Sequence, residues 1–204
     1  GTFNINDSGE TIAVGFNLWI GHSPGYPFHT ALSRMFCALP LASPMFRVTL
    51  ASAVFAALAV SLLPRLLNRY GFSPLASGCT TVLFALSENF WFQAGGAKGG
   101  IYTLGILLMI LMLLCVEKLA QDPSRPLAWM TLGFSVSLML QHHWQSMAFG
   151  PGVLILAWPA LAALPKNPQR LVWALPGVAL GLTPILIMPL RAIQPLILNW
   201  GEPS

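Results

Sequence analysis

The stretch IYTLGILLMILMLLCVEKL, residues 101–119, decides the fold class of this chain. It is apolar over the length that a helix needs to cross the hydrocarbon core of a bilayer, about 20 residues. Similar apolar runs fill most of the remaining chain, at approximately residues 46–64, 74–92, 127–142, 146–164 and 171–190. The pattern predicts an all-α fold, a polytopic transmembrane helical bundle of about six spans.

The composition agrees with a membrane protein. Hydrophobic residues make up 55% of the chain, charged residues make up 8%, and the mean hydropathy is +0.69. A soluble domain carries about 25% charged residues, so this chain has too few charges to cover a surface in water. Membrane lipid is therefore a predicted partner. Nucleic acid is excluded as a partner, because the basic residues are scattered rather than clustered.

Basic residues in the connectors predict the orientation of the chain. Six of the ten Lys and Arg residues fall in alternate loops: Arg65, Arg69, Lys118, Arg125, Lys166 and Arg170. Because cytoplasmic loops of membrane proteins carry an excess of Lys and Arg, these loops are predicted to be cytoplasmic. The residues before 46, the 88–100 connection, the 142–146 turn and the residues after 190 then lie on the non-cytoplasmic side.

The spans and connectors predict one membrane-embedded domain over residues 1–204. Residues 1–45 are expected to form an outer segment with short interfacial helices near 11–20 and 28–39. The transmembrane bundle covers 46–190, and 191–204 form a second outer segment. The polar start lacks a signal peptide or anchor, so we expect a fragment that is incomplete at both ends.

Two carboxylates in DSGE, residues 7–10, are the first candidates for catalysis. One interpretation is a capping box, in which Asp7 caps a helix and Glu10 reaches back to the same turn. The other is a general base at the outer membrane face that takes a proton from an acceptor hydroxyl. The motif alone favours the capping box.

The other candidates also lie near outer ends of the spans, and each has a plain structural alternative. His22 and Tyr26 belong to the turn-rich stretch GHSPGYP, residues 21–27. Lys98 stands among glycines whose backbone could bind an anion or simply form a turn. His142 and His143 end a span, where capping or contact with headgroups is the alternative to a metal site. Arg191 could bind a lipid phosphate or snorkel at the interface.

Eight short motifs occur in an order that resembles one membrane protein family. They are DSGE (7–10), HSPGYP (22–27), RVTL (47–50), FWFQA (90–94), IYTL (101–104), HH (142–143), PLRA (189–192) and LNWGEP (198–203). The family was formerly of unknown function, and its animal member is an endoplasmic-reticulum O-mannosyltransferase of plexin-type receptor domains. This chain departs from the family pattern at Ser23, at Lys98 and at Glu202, which replace a proline, an acidic residue and an aspartate.

The resemblance implies a GT-C-type glycosyltransferase with a GT-C-like bundle. Such an enzyme moves a sugar, with mannose expected, from a polyprenyl- or dolichyl-phosphate donor to a protein or glycan hydroxyl. The catalytic residues carried over are Asp7, as the base, and Glu10. Substrate binding is expected from eight further residues: His22, Tyr26, Lys98, Tyr102, His142, His143, Arg191 and Trp200. No cofactor and no metal ligand is assigned, and a divalent metal is not excluded.

Two other functions stay open on the sequence. A transporter or lipid-binding bundle without catalysis would suit the spans, although its charges should lie near the bilayer midplane. A purely structural bundle partner would leave Asp7 dispensable. For the location, an integral membrane protein is predicted, with a bacterial inner membrane favoured over the endoplasmic-reticulum membrane.

Overall fold

The computed structural model describes residues 7–23 and 25–193. These residues form helices joined by short turns, and no β-strand is found among them, which confirms the all-α prediction. The α-helices are α1 (Ser8–Asn17), α2 (Pro27–Cys37), α3 (Pro44–Arg69), α4 (Pro74–Ala85), α5 (Glu88–Ala94), α6 (Gly99–Gln121), α7 (Pro126–His142), α8 (Gly150–Leu161), α9 (Arg170–Leu182) and α10 (Ile187–Ala192). Short 3₁₀ turns lie at Trp144–Phe149, Leu164–Lys166 and Thr183–Leu186.

Proline at the first helical position starts several of these helices. In α3 and α4 it follows a serine that caps the helix. The Ser43 hydroxyl accepts from the Phe46 N–H at 3.3 Å, and the Ser73 hydroxyl accepts from the Ala76 N–H at 3.2 Å. Serine satisfies one free N–H of the first turn, and proline lacks an N–H that would otherwise be unpaired. The sequence therefore fixes where α3 and α4 begin.

The bundle is built from α3, α6, α7 and α9, with α6 packed between α3 and α7, and α9 against α7. Its main apolar core includes Phe55 of α3, Leu104 and Leu108 of α6, and Leu138 of α7. Two short helices, α1 and α2, occur near the positions where the outer segment was expected to form helices, and α2 packs against α3 and α7.

Glycines allow α7 and α9 to approach each other closely. A Cβ at Gly177 of α9 would lie 1.8 Å from the carbonyl oxygen of Met130, and a Cβ at Gly133 of α7 would lie 2.5 Å from that of Ala174. No side chain fits in this space. Small residues at helix contacts are typical of membrane bundles, where close backbone packing replaces the hydrophobic driving force.

Among the described residues, three helical segments are long and apolar enough to cross a membrane: α3, α6 and Arg170–Ala192, which contains α9 and α10. The α4 helix and Ser146–Leu161 are apolar but shorter. The prediction of about six spans is therefore not confirmed.

The continuous run predicted over residues 74–92 is wrong, because the helix stops after Ala85 and α5 begins at Glu88. Ser87 has an extended backbone there, with φ −63° and ψ 138°. A serine followed by a glutamate is a common start for a new helix, and hydropathy alone does not register it.

Charged residues mark the two ends of the bundle. At one end, Arg69, the last residue of α3, lies 3.6 Å from Glu117 of α6. At the other end, Lys98 precedes α6 and meets Asp7 at the start of α1. The second end carries α1, α2 and the candidate site residues.

We expect the Asp7 end to be non-cytoplasmic and the Arg69 end to be cytoplasmic. The test uses full-length protein whose native cysteines, Cys37, Cys79 and Cys115 included, are replaced. A cysteine at exposed Ser23 should react with an impermeant thiol reagent in intact cells. A cysteine at exposed Ser124, between α6 and α7, should react only after permeabilisation. The reverse pattern would invert the topology.

Gly177→Ala should destabilise the protein by about 1–3 kcal/mol, because the new methyl group forces α7 and α9 apart. Gly78→Ala in α4 is the matched control, since nothing lies within 4 Å of a Cβ there. Thermal unfolding of the purified full-length protein in detergent measures both variants. Equal melting temperatures for the two would contradict the close approach of α7 and α9.

Candidate functional site

The site begins with an ion pair between Asp7 and Lys98, two residues 91 positions apart. The Lys98 ammonium donates a hydrogen bond to Asp7 Oδ2. This hydrogen bond holds the pKa of Asp7 below its usual value, so the carboxylate is ionised at neutral pH. The contact joins the start of α1 to the turn before α6.

Glu10, one turn further along α1, binds His22 through both carboxylate oxygens. Its Oε1 accepts from the backbone N–H of His22 at 2.7 Å, and its Oε2 lies 2.7 Å from His22 Nδ1. Because an ionised carboxylate only accepts hydrogen bonds, Nδ1 is the donor. The Glu10 carboxylate thus fixes both the backbone and the ring of His22.

These contacts show that the capping-box interpretation of DSGE is wrong. Asp7 makes no side-chain hydrogen bond to the first turn of α1, and its backbone is left-handed with φ 60°. Glu10 turns away to His22 rather than back to the Asp7 backbone. Both carboxylates instead make charge-assisted hydrogen bonds to more distant parts of the chain, Asp7 to Lys98 and Glu10 to His22.

Tyr26 lies at the centre of an aromatic group in front of these carboxylates. Its ring centroid is 6.0 Å from that of His22, 6.4 Å from that of His142 and 5.7 Å from that of His143. Tyr102 extends the group, with its ring 6.3 Å from His143. Burial raises the pKa of Tyr26, so its hydroxyl stays protonated at neutral pH.

His142 ends α7 inside the protein, with only 1% of its surface exposed. Its Nε2 lies 2.7 Å from the carbonyl oxygen of Ile101, which can only accept, so Nε2 carries the proton. Its Nδ1 is buried and has no hydrogen-bond partner among the described residues. Most buried polar atoms have a partner, and this nitrogen is one of five side-chain atoms in the described residues that do not, with Ser8 Oγ, Thr49 Oγ1, Ser77 Oγ and Gln141 Oε1.

An apolar cavity of about 530 Å³ adjoins the aromatic group. Its polar lining residues include Tyr102, His142, His143 and Ser146, and the rest of its wall is mostly aliphatic and aromatic. The apolar wall comes from α3, α4, α6, α7 and the turn after α7, with Leu63, Leu66, Phe84, Ile106, Met109, Leu113, Met139 and Phe149. Its volume falls within the roughly 300–1,000 Å³ typical of ligand pockets.

His29 is a buried residue of this region that the sequence analysis did not single out. It is 2% exposed in α2, and burial lowers its pKa to about 3, so it is neutral. Its Nε2 lies 3.4 Å from Ser33 Oγ. A Cβ at Gly100 would lie 2.6 Å from that nitrogen. The spacing of His29 and Ser33 on one helical face was the available signal.

Eight of the ten candidate residues thus surround one region: Asp7, Glu10, His22, Tyr26, Lys98, Tyr102, His142 and His143. Arg191 lies at the edge, where it joins α10 to the end of α1. Its Nε donates to the Leu18 carbonyl at 2.8 Å and its Nη2 to the Asn17 carbonyl at 3.2 Å. Trp200 lies outside the described residues.

Within residues 7–23 and 25–193, no group of three His, Cys, Asp or Glu side chains is placed to bind a metal ion. Instead, Asp7 binds Lys98 and Glu10 binds His22. The described site therefore combines an ionised carboxylate, a cation, oriented imidazoles and an apolar cavity. These groups suit proton acceptance and the binding of an anionic lipid.

Comparison with known proteins gives one family. The family profile described as the protein O-mannosyl-transferase TMEM260 N-terminal domain matches residues 7–164. The mouse protein O-mannosyl-transferase TMEM260 is 31% identical over 142 residues, which cover 67% of this chain and 20% of the mouse protein. The chain thus spans about a fifth of the length of that curated relative. No solved structure matches.

Lys98→Gln should raise the pKa of Asp7, because the hydrogen bond and the positive charge that favour the ionised form are both lost. Carbon-13 NMR titration of aspartate-labelled protein measures this pKa, with the Asp7 signal assigned by its loss in Asp7→Asn. Lys118→Gln, near the opposite end of α6, is the control and should leave the signal unchanged. An unchanged Asp7 pKa in Lys98→Gln would contradict the ion pair.

Proposed function

Because this chain belongs to the protein O-mannosyl-transferase TMEM260 N-terminal domain family, we propose that it is the catalytic part of a membrane glycosyltransferase. It transfers a sugar, with mannose expected, from a polyprenyl- or dolichyl-phosphate donor to a protein or glycan hydroxyl. The reaction takes place on the non-cytoplasmic face. The observation that carries the proposal is the meeting of Asp7, Lys98 and the aromatic group beside an apolar cavity.

The cavity is proposed to hold the first part of the donor's prenyl chain. Its wall is almost entirely apolar, and a hydrocarbon chain gains free energy when it leaves water for such a surface. The polar groups of the wall, Tyr102, His142, His143 and Ser146, are expected near the donor's phosphate and sugar. This arrangement would present the sugar–phosphate bond to the Asp7 region.

The proposed chemistry is a single displacement at the sugar's anomeric carbon. The acceptor oxygen forms a bond to that carbon, while the bond from the carbon to the phosphate oxygen breaks. The lipid phosphate leaves with the electron pair, and the acceptor's proton goes to the Asp7 carboxylate. Asp7 is ionised and can accept it, and the hydrogen bond from Lys98, which lowers its pKa and so weakens it as a base, has to be released or shared with the phosphate as the proton arrives.

Positive charge is required where the phosphate departs. Lys98 is the proposed source, because its ammonium has three N–H donors and can bind Asp7 and a phosphate oxygen together. Arg191 is proposed as a second phosphate ligand from the edge of the site. Its Nε and Nη2 donate to backbone carbonyls at the end of α1, so it also fixes α10 against α1.

The protein is integral to the membrane, as its apolar helices and its family indicate. The expectation of a bacterial inner membrane finds no support in the comparisons, whose curated relative is from mouse. A lipid-binding bundle without catalysis is a second candidate, since the apolar cavity alone would suffice for it. The activity assay separates the two.

The assay incubates purified full-length protein with radiolabelled polyprenyl-phosphate mannose and membrane-protein acceptors, and identifies the labelled product. Asp7→Asn should lower the initial rate about 10²-fold or more, because an amide cannot take the acceptor's proton. Its melting temperature should barely change, since exposed ion pairs contribute little stability.

Asp122→Asn is the matched control, because Asp122 binds Ser124 and Arg125 near the opposite end of α6. It should keep the full rate. Near-normal turnover in Asp7→Asn would reject Asp7 as the base. Binding of the labelled lipid without any product from the unaltered protein would favour the lipid-binding bundle.

A further inference from the structure

Two histidines of the site face a hydrogen-bond acceptor with opposite ring nitrogens. Glu10 Oε2 accepts from His22 Nδ1, so the lone pair of a neutral His22 is on Nε2. The Ile101 carbonyl accepts from His142 Nε2, so the lone pair of His142 is on Nδ1. In each case one ring nitrogen donates to a fixed acceptor, and in the neutral ring the other nitrogen is then an acceptor.

The two free nitrogens differ in their surroundings. His22 is partly exposed, and its Nε2 points away from Glu10 because the carboxylate occupies the Nδ1 side. His142 is buried against the cavity, and its Nδ1 has no partner within the part of the chain that the structure describes. A buried nitrogen without a partner is costly, which favours a ligand that donates a hydrogen bond to it.

Tyr26 lies between these rings in a strained backbone conformation. Its φ of 45° and ψ of 51° are in the left-handed region, which a residue with a side chain rarely adopts. Strain of this kind persists where the surrounding structure requires one side-chain direction, and it is concentrated at binding sites. Here it places the tyrosine ring 6.0 Å from His22 and 6.4 Å from His142.

We propose that Tyr26, His22 and His142 form the subsite for the sugar ring of the donor, with Glu10 as a positioning residue. The negative face of the tyrosine ring suits the C–H groups of a sugar. The two imidazole lone pairs accept from sugar hydroxyls, and they would repel a phosphate oxygen, which carries lone pairs and no hydrogen. This assignment rests on the proposed function, and it leaves the phosphate to Lys98.

Glu10→Gln tests the subsite because it reverses the tautomer of His22. The amide oxygen can still accept from the His22 backbone N–H, while the amide NH₂ now faces Nδ1 and donates to it. The ring proton then moves to Nε2, which becomes a donor. Nitrogen-15 NMR of histidine-labelled protein reports this change, with the His22 signal assigned by its loss in His22→Leu.

The functional measurement compares two lipids bound to full-length protein in detergent: polyprenyl-phosphate mannose and polyprenyl phosphate without sugar. Glu10→Gln should weaken binding of the mannose-bearing lipid about 10-fold, as the loss of one hydrogen-bond partner predicts. Binding of the bare lipid should not change, which also shows that the variant is folded. Glu88→Gln, an exposed carboxylate in α5, is the matched control and should change neither.

His22→Leu should reduce the preference for the mannose-bearing lipid in the same way. If Glu10→Gln binds neither lipid, the His22→Leu variant alone tests the subsite. If a variant still binds the bare lipid and keeps the normal preference for the mannose-bearing lipid, the proposed subsite is wrong. It is also wrong if the unaltered protein shows no preference for the sugar. If the unaltered protein prefers the mannose-bearing lipid but transfers no sugar, the proposed function is wrong and the subsite stands. If the unaltered protein transfers sugar and the variants keep the same preference for the mannose-bearing lipid, only the subsite is wrong.

Discussion

The contact between Lys98 and Asp7 ties the outer segment to the membrane bundle, and the site depends on it. Asp7 begins α1, and Lys98 stands before α6, which runs through the centre of the bundle. With α1 held there, Glu10 reaches the turn that contains His22, and that turn brings Tyr26 against the end of α7. An exposed ion pair adds little to stability, so its effect here is one of alignment.

The stability of this region comes from buried contacts between helices rather than from the ion pair. Beneath it, α2, α3 and α6 meet through short polar side chains and a glycine. Ser52 of α3 donates to the Ala97 carbonyl, and Thr103 of α6 donates to the Ser52 carbonyl. Any Cβ at Gly100 would lie 2.6 Å from His29 Nε2. The polar groups are paired inside the protein, which avoids the cost of burying them alone and keeps α2 at a fixed distance from α6.

Much of the fold and of the site could be predicted from the sequence, because both depend on local patterns. Apolar runs revealed the helices of the bundle, and the chemistry of DSGE and HSPGYP identified residues that meet in space. The partners could not be predicted. Asp7 followed by Glu10 reads locally as a helix cap, whereas the structure gives Asp7 a partner 91 residues away. His29 was missed because, on a helix expected at the interface, a polar face is ordinarily in contact with water. Hydropathy likewise could not predict the helix break at Ser87, because the mean over the apolar run hides the one serine and one glutamate at which α5 starts.

The short helix α4 bounds the cavity on one side, and its position bears on which lipids the protein could use. Thr80 and Phe84 of α4 form part of the cavity wall, while Leu75, Val82 and Leu83 of the same helix are exposed. An enclosure of about 530 Å³ can surround only the beginning of a long prenyl chain. The remaining isoprene units would extend past α4 into the bilayer, beyond the residues that line the cavity. A protein of this design would not measure chain length or saturation at the distant end. Carriers that share their first isoprene units and differ only in length would then be interchangeable to it, whereas a difference in the unit next to the phosphate would lie inside the cavity.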